Sequence, residues 1–203
     1  MKMKQINILI ALILMLTISY KGNATNQPTE TDSTLRFLPL KKLFVTGDFY
    51  GNGTIDTIFQ HSYSFLNKME IDSVPNYFFK ESEDWYDGWF KLLKWFGEQE
   101  IETLLTLQTD TLHIGYSYGL YCLLNIGDVN NDGKDEIAFV ADWFDMTNVN
   151  SCQIYTICNH EWTLLKEFSI HELLAFSYKK GEPEPHFTEI KGFLEKRDGK
   201  WFF

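Results

Sequence analysis

Apolar and polar residues alternate over short runs along most of this chain. Residues 35–46, 55–62, 101–108, 111–116, 119–126, 136–142, 151–158 and 162–169 are each a short apolar or alternating run bounded by Gly, Asn, Asp or Pro. Period-two alternation over so few residues, closed by turn formers, predicts successive β-strands. Ile190 to Glu195, a turn around Arg197-Asp198-Gly199, and Trp201 to Phe203 predict a closing hairpin. One stretch departs from the pattern. In residues 82–98, Trp85, Trp89, Leu92, Leu93 and Phe96 recur at helical steps, which predicts one amphipathic helix ending near Gly97. A second, short helix is predicted over 170–176. The fold class expected is mainly β and antiparallel, with a single domain over 35–203.

Composition supports a folded chain: 44% of residues are hydrophobic and 23% charged, outside the disordered regime. The 6 Trp, 10 Tyr and 17 Phe suit half-buried pleated surfaces. With 18 Lys plus Arg against 28 Asp plus Glu, the net charge of −10 argues against nucleic acid and anionic membranes as partners. The first residues read as a targeting segment. Lys2 and Lys4 precede an apolar stretch, Ile6 to Ser19, and Gly22-Asn23-Ala24 offers a small-residue cleavage site, so 1–24 reads as a signal peptide and 25–34 as a polar linker. The apolar stretch is shorter than the roughly 20 residues of a comfortable membrane span. No cysteine follows it to carry a lipid. A secreted or periplasmic protein with no stable span is expected. There Cys122, Cys152 and Cys158 could form a disulfide. Cys152 and Cys158 are too far apart along one strand to pair, which leaves Cys122 with one of them, or three buried thiols.

The chemistry concentrates in residues 127–137, Gly-Asp-Val-Asn-Asn-Asp-Gly-Lys-Asp-Glu-Ile. Asp128, Asn130 and Asp132 place oxygen side chains at positions 1, 3 and 5 of a tight loop, and Gly133 at position 6 permits its sharp turn. Lys134 at position 7 would offer its backbone carbonyl, and Glu136 at position 9 another carboxylate. Such a set of hard oxygens suits Ca²⁺ better than Mg²⁺ or a softer metal. Position 12 is Phe139 and a strand-like run follows, so an EF-hand is excluded. The stretch resembles the FG-GAP and VCBS calcium loops, Asp-x-Asn-x-Asp-Gly-x-x-Asp, with Glu136 in place of the final Asp. The resemblance extends to 47–56, where Asp48, Asn52, Gly53, Thr54 and Asp56 hold positions 1, 5, 6, 7 and 9 and Tyr50 replaces the ligand at position 3. This copy is expected to bind metal weakly or to survive as a structural turn. Proteins with such repeats use them as propeller blades. The resemblance therefore implies a small propeller-like or sandwich-like domain with two Asp-rich loops, two divergent repeats (about 43–72 and 120–168) and an inserted helix.

Two other motifs carry less. Gly115-Tyr116-Ser117-Tyr118-Gly119 matches a nucleophile elbow, but a strand-like run follows where a helix is required. His171-Glu172-Leu173-Leu174-Ala175 lacks the second His of a zinc helix. No catalytic constellation is expected. Trp85, Tyr86, Trp89 and Trp95 are candidate ligand-binding aromatics, Tyr86 and Trp95 being the two expected at the surface because they lie off the apolar stripe. The functional expectation is an exported, non-catalytic calcium-binding module with a protein or glycan partner. The alternatives are an envelope inhibitor or immunity protein against a cell-wall hydrolase, or a glycan-binding module using the tryptophans.

Overall fold

The alternating runs fold as strands, and most of them belong to two sequential meanders. The computed structural model describes residues 36–77, 85–145, 147–171, 176–177, 186–187 and 189–203. The expected signal peptide and linker, residues 82–84 of the expected helix and residues 172–175 of the second lie outside these. After β1 (Phe37–Pro39), the first meander comprises β2 (Phe44–Gly47), β3 (Asp56–Ser64), β6 (Ile101–Leu107) and β7 (Asp110–Gly115). They hydrogen-bond in the order β2-β3-β6-β7, with β4 (Met69–Glu70) beside the end of β3. The second comprises β8 (Ser117–Gly127), β9 (Glu136–Trp143), β10 (Val149–Cys158) and β11 (Glu161–His171), ordered β8-β9-β10-β11. Every pairing is antiparallel. In each meander an Asp-rich loop joins the first strand to the second.

The first meander is interrupted between β3 and β6. There the chain forms β4, then β5 (Ser73–Pro75), which pairs with β1, and the helix α1 (Trp85–Glu98). Three short strand pairs complete the described structure: β1 with β5, β12 (Phe176–Ser177) with β13 (His186–Phe187), and β14 (Glu195–Arg197) with β15 (Lys200–Phe202). The last is a closing hairpin, its two turn residues Asp198 and Gly199 both at positive φ, 49° and 82°, as a tight hairpin requires, but its first strand is Glu195–Arg197, because the expected strand from Ile190 turns back on itself in an Ile190–Leu194 bridge. The architecture is mainly β, and among the described residues none of the sheets closes into a barrel. Nor is any helix there long and apolar enough to cross a membrane.

The core follows from the pleat of β9, buried from Glu136 to Ala141. Ile137, Phe139 and Ala141 point one way and pack with Ile58, Leu105 and Leu107 of the first meander. Ala138 and Val140 point the other way and join Cys152, Ile154, Phe168, Ile170 and Leu194. The second sheet is thus covered on both faces, by the first meander and by the C-terminal segment. A third cluster seats α1: Leu92 and Phe96 meet Leu40, Val74 and Ile101.

Two expectations are corrected here, and of the two alternatives left open for the cysteines the structure has the free thiols. Ile170 and His171, placed in a second helix, continue β11, because the pairing with β10 runs on to Val149 opposite His171. Trp95 packs partly buried, edge-on to Phe96 at 5.5 Å, instead of standing off the stripe at the surface. No disulfide forms, and all three described cysteines are free. Cys122 and Cys152 both pair with Val140 of the intervening β9. Two strand spacings, about 9–10 Å, therefore separate them, beyond disulfide reach. Burial pushes the Cys152 thiol up to about 12, and Cys122 also lies above the usual thiol range, so both behave as inert small hydrophobes.

Candidate metal loop

Positions 1, 5, 6 and 7 of the two Asp-rich loops make the same hydrogen bonds. In the second loop, Asp128 accepts from the N–H of Asp132 through Oδ1 and of Gly133 through Oδ2, both at 3.0 Å, while Asp132 Oδ1 accepts from the N–H of Lys134 at 3.0 Å. In the first, Asp48 accepts from Asn52 N at 3.0 Å and Gly53 N at 2.8 Å, and Asn52 Oδ1 accepts from Thr54 N at 2.8 Å. Gly133 and Gly53 both take positive φ, 88° and 80°, at the bend. Sequence spacing alone sets this geometry, because one carboxylate at position 1 folds the chain back over itself.

The loops differ at positions 3 and 9. In the second, the Asn130 amide donates to Asp132 Oδ2 at 3.2 Å and to Glu136 Oε1 at 3.0 Å, and Asn130 Oδ1 accepts from Asp132 N. Glu136 Oε2 accepts from Val129 N at 2.8 Å, and the residue is fully buried. Asp128, Asn130, Asp132 and Glu136 are therefore brought together around one turn. Lys134 adds its side chain: Nζ lies 3.5 Å from Asp132 Oδ2 and donates to Cys158 Sγ. In the first loop, Tyr50 leaves position 3 to bond Asp110, and Asp56 Oδ1 accepts from Gln108, so only Asp48, Asn52 and Thr54 remain together. Among the described residues no three His, Cys, Asp or Glu side chains stand as a ready metal cage. In the second loop the Asn130 amide bridges the Asp132 and Glu136 carboxylates, and the Lys134 ammonium pairs with Asp132. The carboxylates' remaining lone pairs are what a calcium ion would take.

The two loops also hold each other. Asp135 donates its N–H to the Asp48 carbonyl and returns its Oδ2 to the Asp48 N–H, both at 3.0 Å. Asn125 donates to Asp135 Oδ2 at 2.8 Å and to the Thr46 carbonyl at 2.9 Å, tying β8 to β2.

Burial raises Glu136 above the usual carboxylate range, against the pull of the Val129 N–H. A raised folded value means that the folded protein holds the proton more tightly than the unfolded chain. The stability it contributes is complete below the ordinary glutamate value and lost as pH rises through the raised one. Glu136→Gln should therefore gain stability relative to the native protein as pH rises above the ordinary glutamate value in chelator, measured by urea unfolding. A pH-independent difference would contradict this origin.

The aromatic candidates are divided. Trp85 stacks on Trp89 at 5.8 Å and 7°, and Trp89 in turn meets Phe144 at 5.5 Å, so Trp89 serves packing. Tyr86 is 58% exposed, as is Phe90 at 61%, which sequence reading missed because it lies opposite the apolar stripe. Ser117 of the Gly-x-Ser-x-Gly match is buried in β8 and donates to Thr103 Oγ1 at 2.8 Å. A further cluster also escaped the sequence reading: Asp110, buried, accepts from Tyr50 OH at 2.6 Å and pairs with His160 Nδ1 at 3.0 Å. Its only linear signal is the two-residue Asn159-His160 turn between β10 and β11. No protein-family model matches this chain, and neither a curated protein nor a solved structure is similar to it.

Proposed function

We propose that the protein is an exported, non-catalytic β-rich module in which Ca²⁺ held by the 128–136 loop stabilises a binding surface for a protein or glycan partner. The observation that carries the reading is the convergence of Asp128, Asn130, Asp132 and Glu136 on one turn, linked by contacts of 2.8–3.2 Å. Asp132 and Glu136 so placed repel each other, and a divalent cation offsets that repulsion. The Lys134 carbonyl completes the set by its position in the turn. In the same reading the two meanders are divergent repeats resembling FG-GAP or VCBS units, stacked in a propeller-like or sandwich-like manner. The Asp48 loop is the weaker member, its position-3 ligand replaced by Tyr50. The export part rests on the Lys2, Lys4 and Ile6–Ser19 pattern.

Calorimetric titration with CaCl₂ tests the reading. The native protein should bind calcium saturably, Asp128→Ala and Asp132→Ala should abolish that binding, and Asp48→Ala should leave it. No binding by the folded native protein would refute the metal reading.

A further inference from the structure

Beside the 128–136 loop, four turns meet at one end of the two meanders and line an open cleft of about 420 Å³, a volume within the range of small-molecule sites. The turns are the two Asp-rich loops, the β6–β7 turn and the β10–β11 turn. We propose that this cleft binds a saccharide unit, with His160 and Gln108 as its principal polar contacts. The proposal does not depend on calcium.

Three of the lining side chains, Asn52, Gln108 and His160, each use one polar end as an anchor and leave the other. Asn52 gives Oδ1 to the Thr54 N–H, which leaves Nδ2 as a donor. Gln108 donates Nε2 to Asp56 at 2.9 Å, which leaves Oε1 as an acceptor. His160 engages buried Asp110 through Nδ1, which leaves Nε2. Amides and an imidazole fixed in this way both donate and accept, as vicinal hydroxyl groups do. The Tyr50 and His160 rings, 5.2 Å apart, supply apolar faces for the C–H side of a sugar, and Ile157 adds an apolar wall.

Two details show that the cleft is held in place. The His160 side chain is 70% exposed, yet a carboxylate only 8% exposed orients it, an arrangement that lowers the ordering cost of binding. Asn159 and His160 both take positive φ, 52° and 65°, in a turn where glycine is the usual second residue. A histidine is strained there. An anion is the poorer occupant: Lys134 is already engaged by Asp132 and Cys158, Asp110 lies behind the histidine, and the chain carries a net charge of −10.

The test is ¹⁵N-resolved NMR of the protein titrated separately with glucose, galactose, mannose and N-acetylglucosamine, and with inorganic phosphate. At least one sugar should give saturable shifts at the backbone amides of Asn52, Gln108, Asn159 and His160. His160→Gly removes the imidazole while relieving the turn, so it should keep the native fold and lose about tenfold or more in affinity. Gln108→Ala should lose a similar factor. Saturation by phosphate alone, no saturation by any sugar, or unchanged sugar binding in both variants would overturn the assignment.

Discussion

Truncating Phe96 to alanine should lower the unfolding free energy by about 3–5 kcal/mol, measured by urea denaturation. Phe96 is fully buried, and its ring lies 5.5 Å from Trp95, 5.8 Å from Tyr118, 4.8 Å from Phe144 and 6.4 Å from Tyr116. Those residues come from the helix, the start of the second meander and the end of β9, so one side chain fastens the inserted helix to the sheets. The neighbouring rings are themselves packed, and the cavity cannot collapse fully. Phe90, six residues earlier and 61% exposed, is the control: its truncation should cost within about 0.5 kcal/mol. Equal effects at the two positions would mean that α1 does not pack as described.

The second large effect is expected at Gly51. Its φ is 67°, and a Cβ there would stand 2.8 Å from the Gly133 carbonyl oxygen and 2.9 Å from Lys134 Cγ. Backbone cannot yield as a side-chain tip can. Gly51→Val must push the two Asp-rich loops apart and break the paired bonds between Asp48 and Asp135. The expected cost is about 3 kcal/mol or more, combining overpacking with the left-handed penalty. Gly53 takes φ 80°, and a Cβ there would meet no atom within 4 Å, so Gly53→Ala should cost only the conformational term, about 1–2 kcal/mol. Chemical denaturation distinguishes the two, and faster hydrogen exchange at the Asp135 amide in Gly51→Val would locate the damage.

Much of the secondary structure was legible because strand and helix periods leave different marks. Seven of the eight alternating runs lie on or within a residue or two of one strand each, the run 35–46 breaks into β1 and β2 of different sheets, and the Trp85–Phe96 stripe marks α1. Residues 170–176 misled because a short apolar group has no distinguishing period, and pairing with Val149 and Asn150 decided the state of Ile170 and His171. Trp95 misled because helical phase says which face turns inward, not how far a large ring reaches around it. At the candidate site, spacing foretold the position-1 turn in both loops. It could not foretell their mutual docking, since Asp135 stands at a position no ligand pattern uses and its partner Asp48 is 87 residues away. The Tyr50–Asp110–His160 cluster was hidden for the same reason: Asp110 is 60 residues from Tyr50 and 50 from His160, and only the meeting of turns from both meanders unites them.

If calcium in the 128–136 loop stabilises the fold, as proposed, thermal unfolding must register it. The comparison is between excess calcium and chelator, for the native protein, Asp128→Ala and Asp132→Ala. Calcium at about 100 times its dissociation constant adds about 2.7 kcal/mol, which corresponds to a rise of roughly 5–10 °C in Tm for a domain of this size. That rise is expected in the native protein and should be absent in both variants. The same Tm for the native protein in calcium and in chelator would contradict a stabilising calcium site.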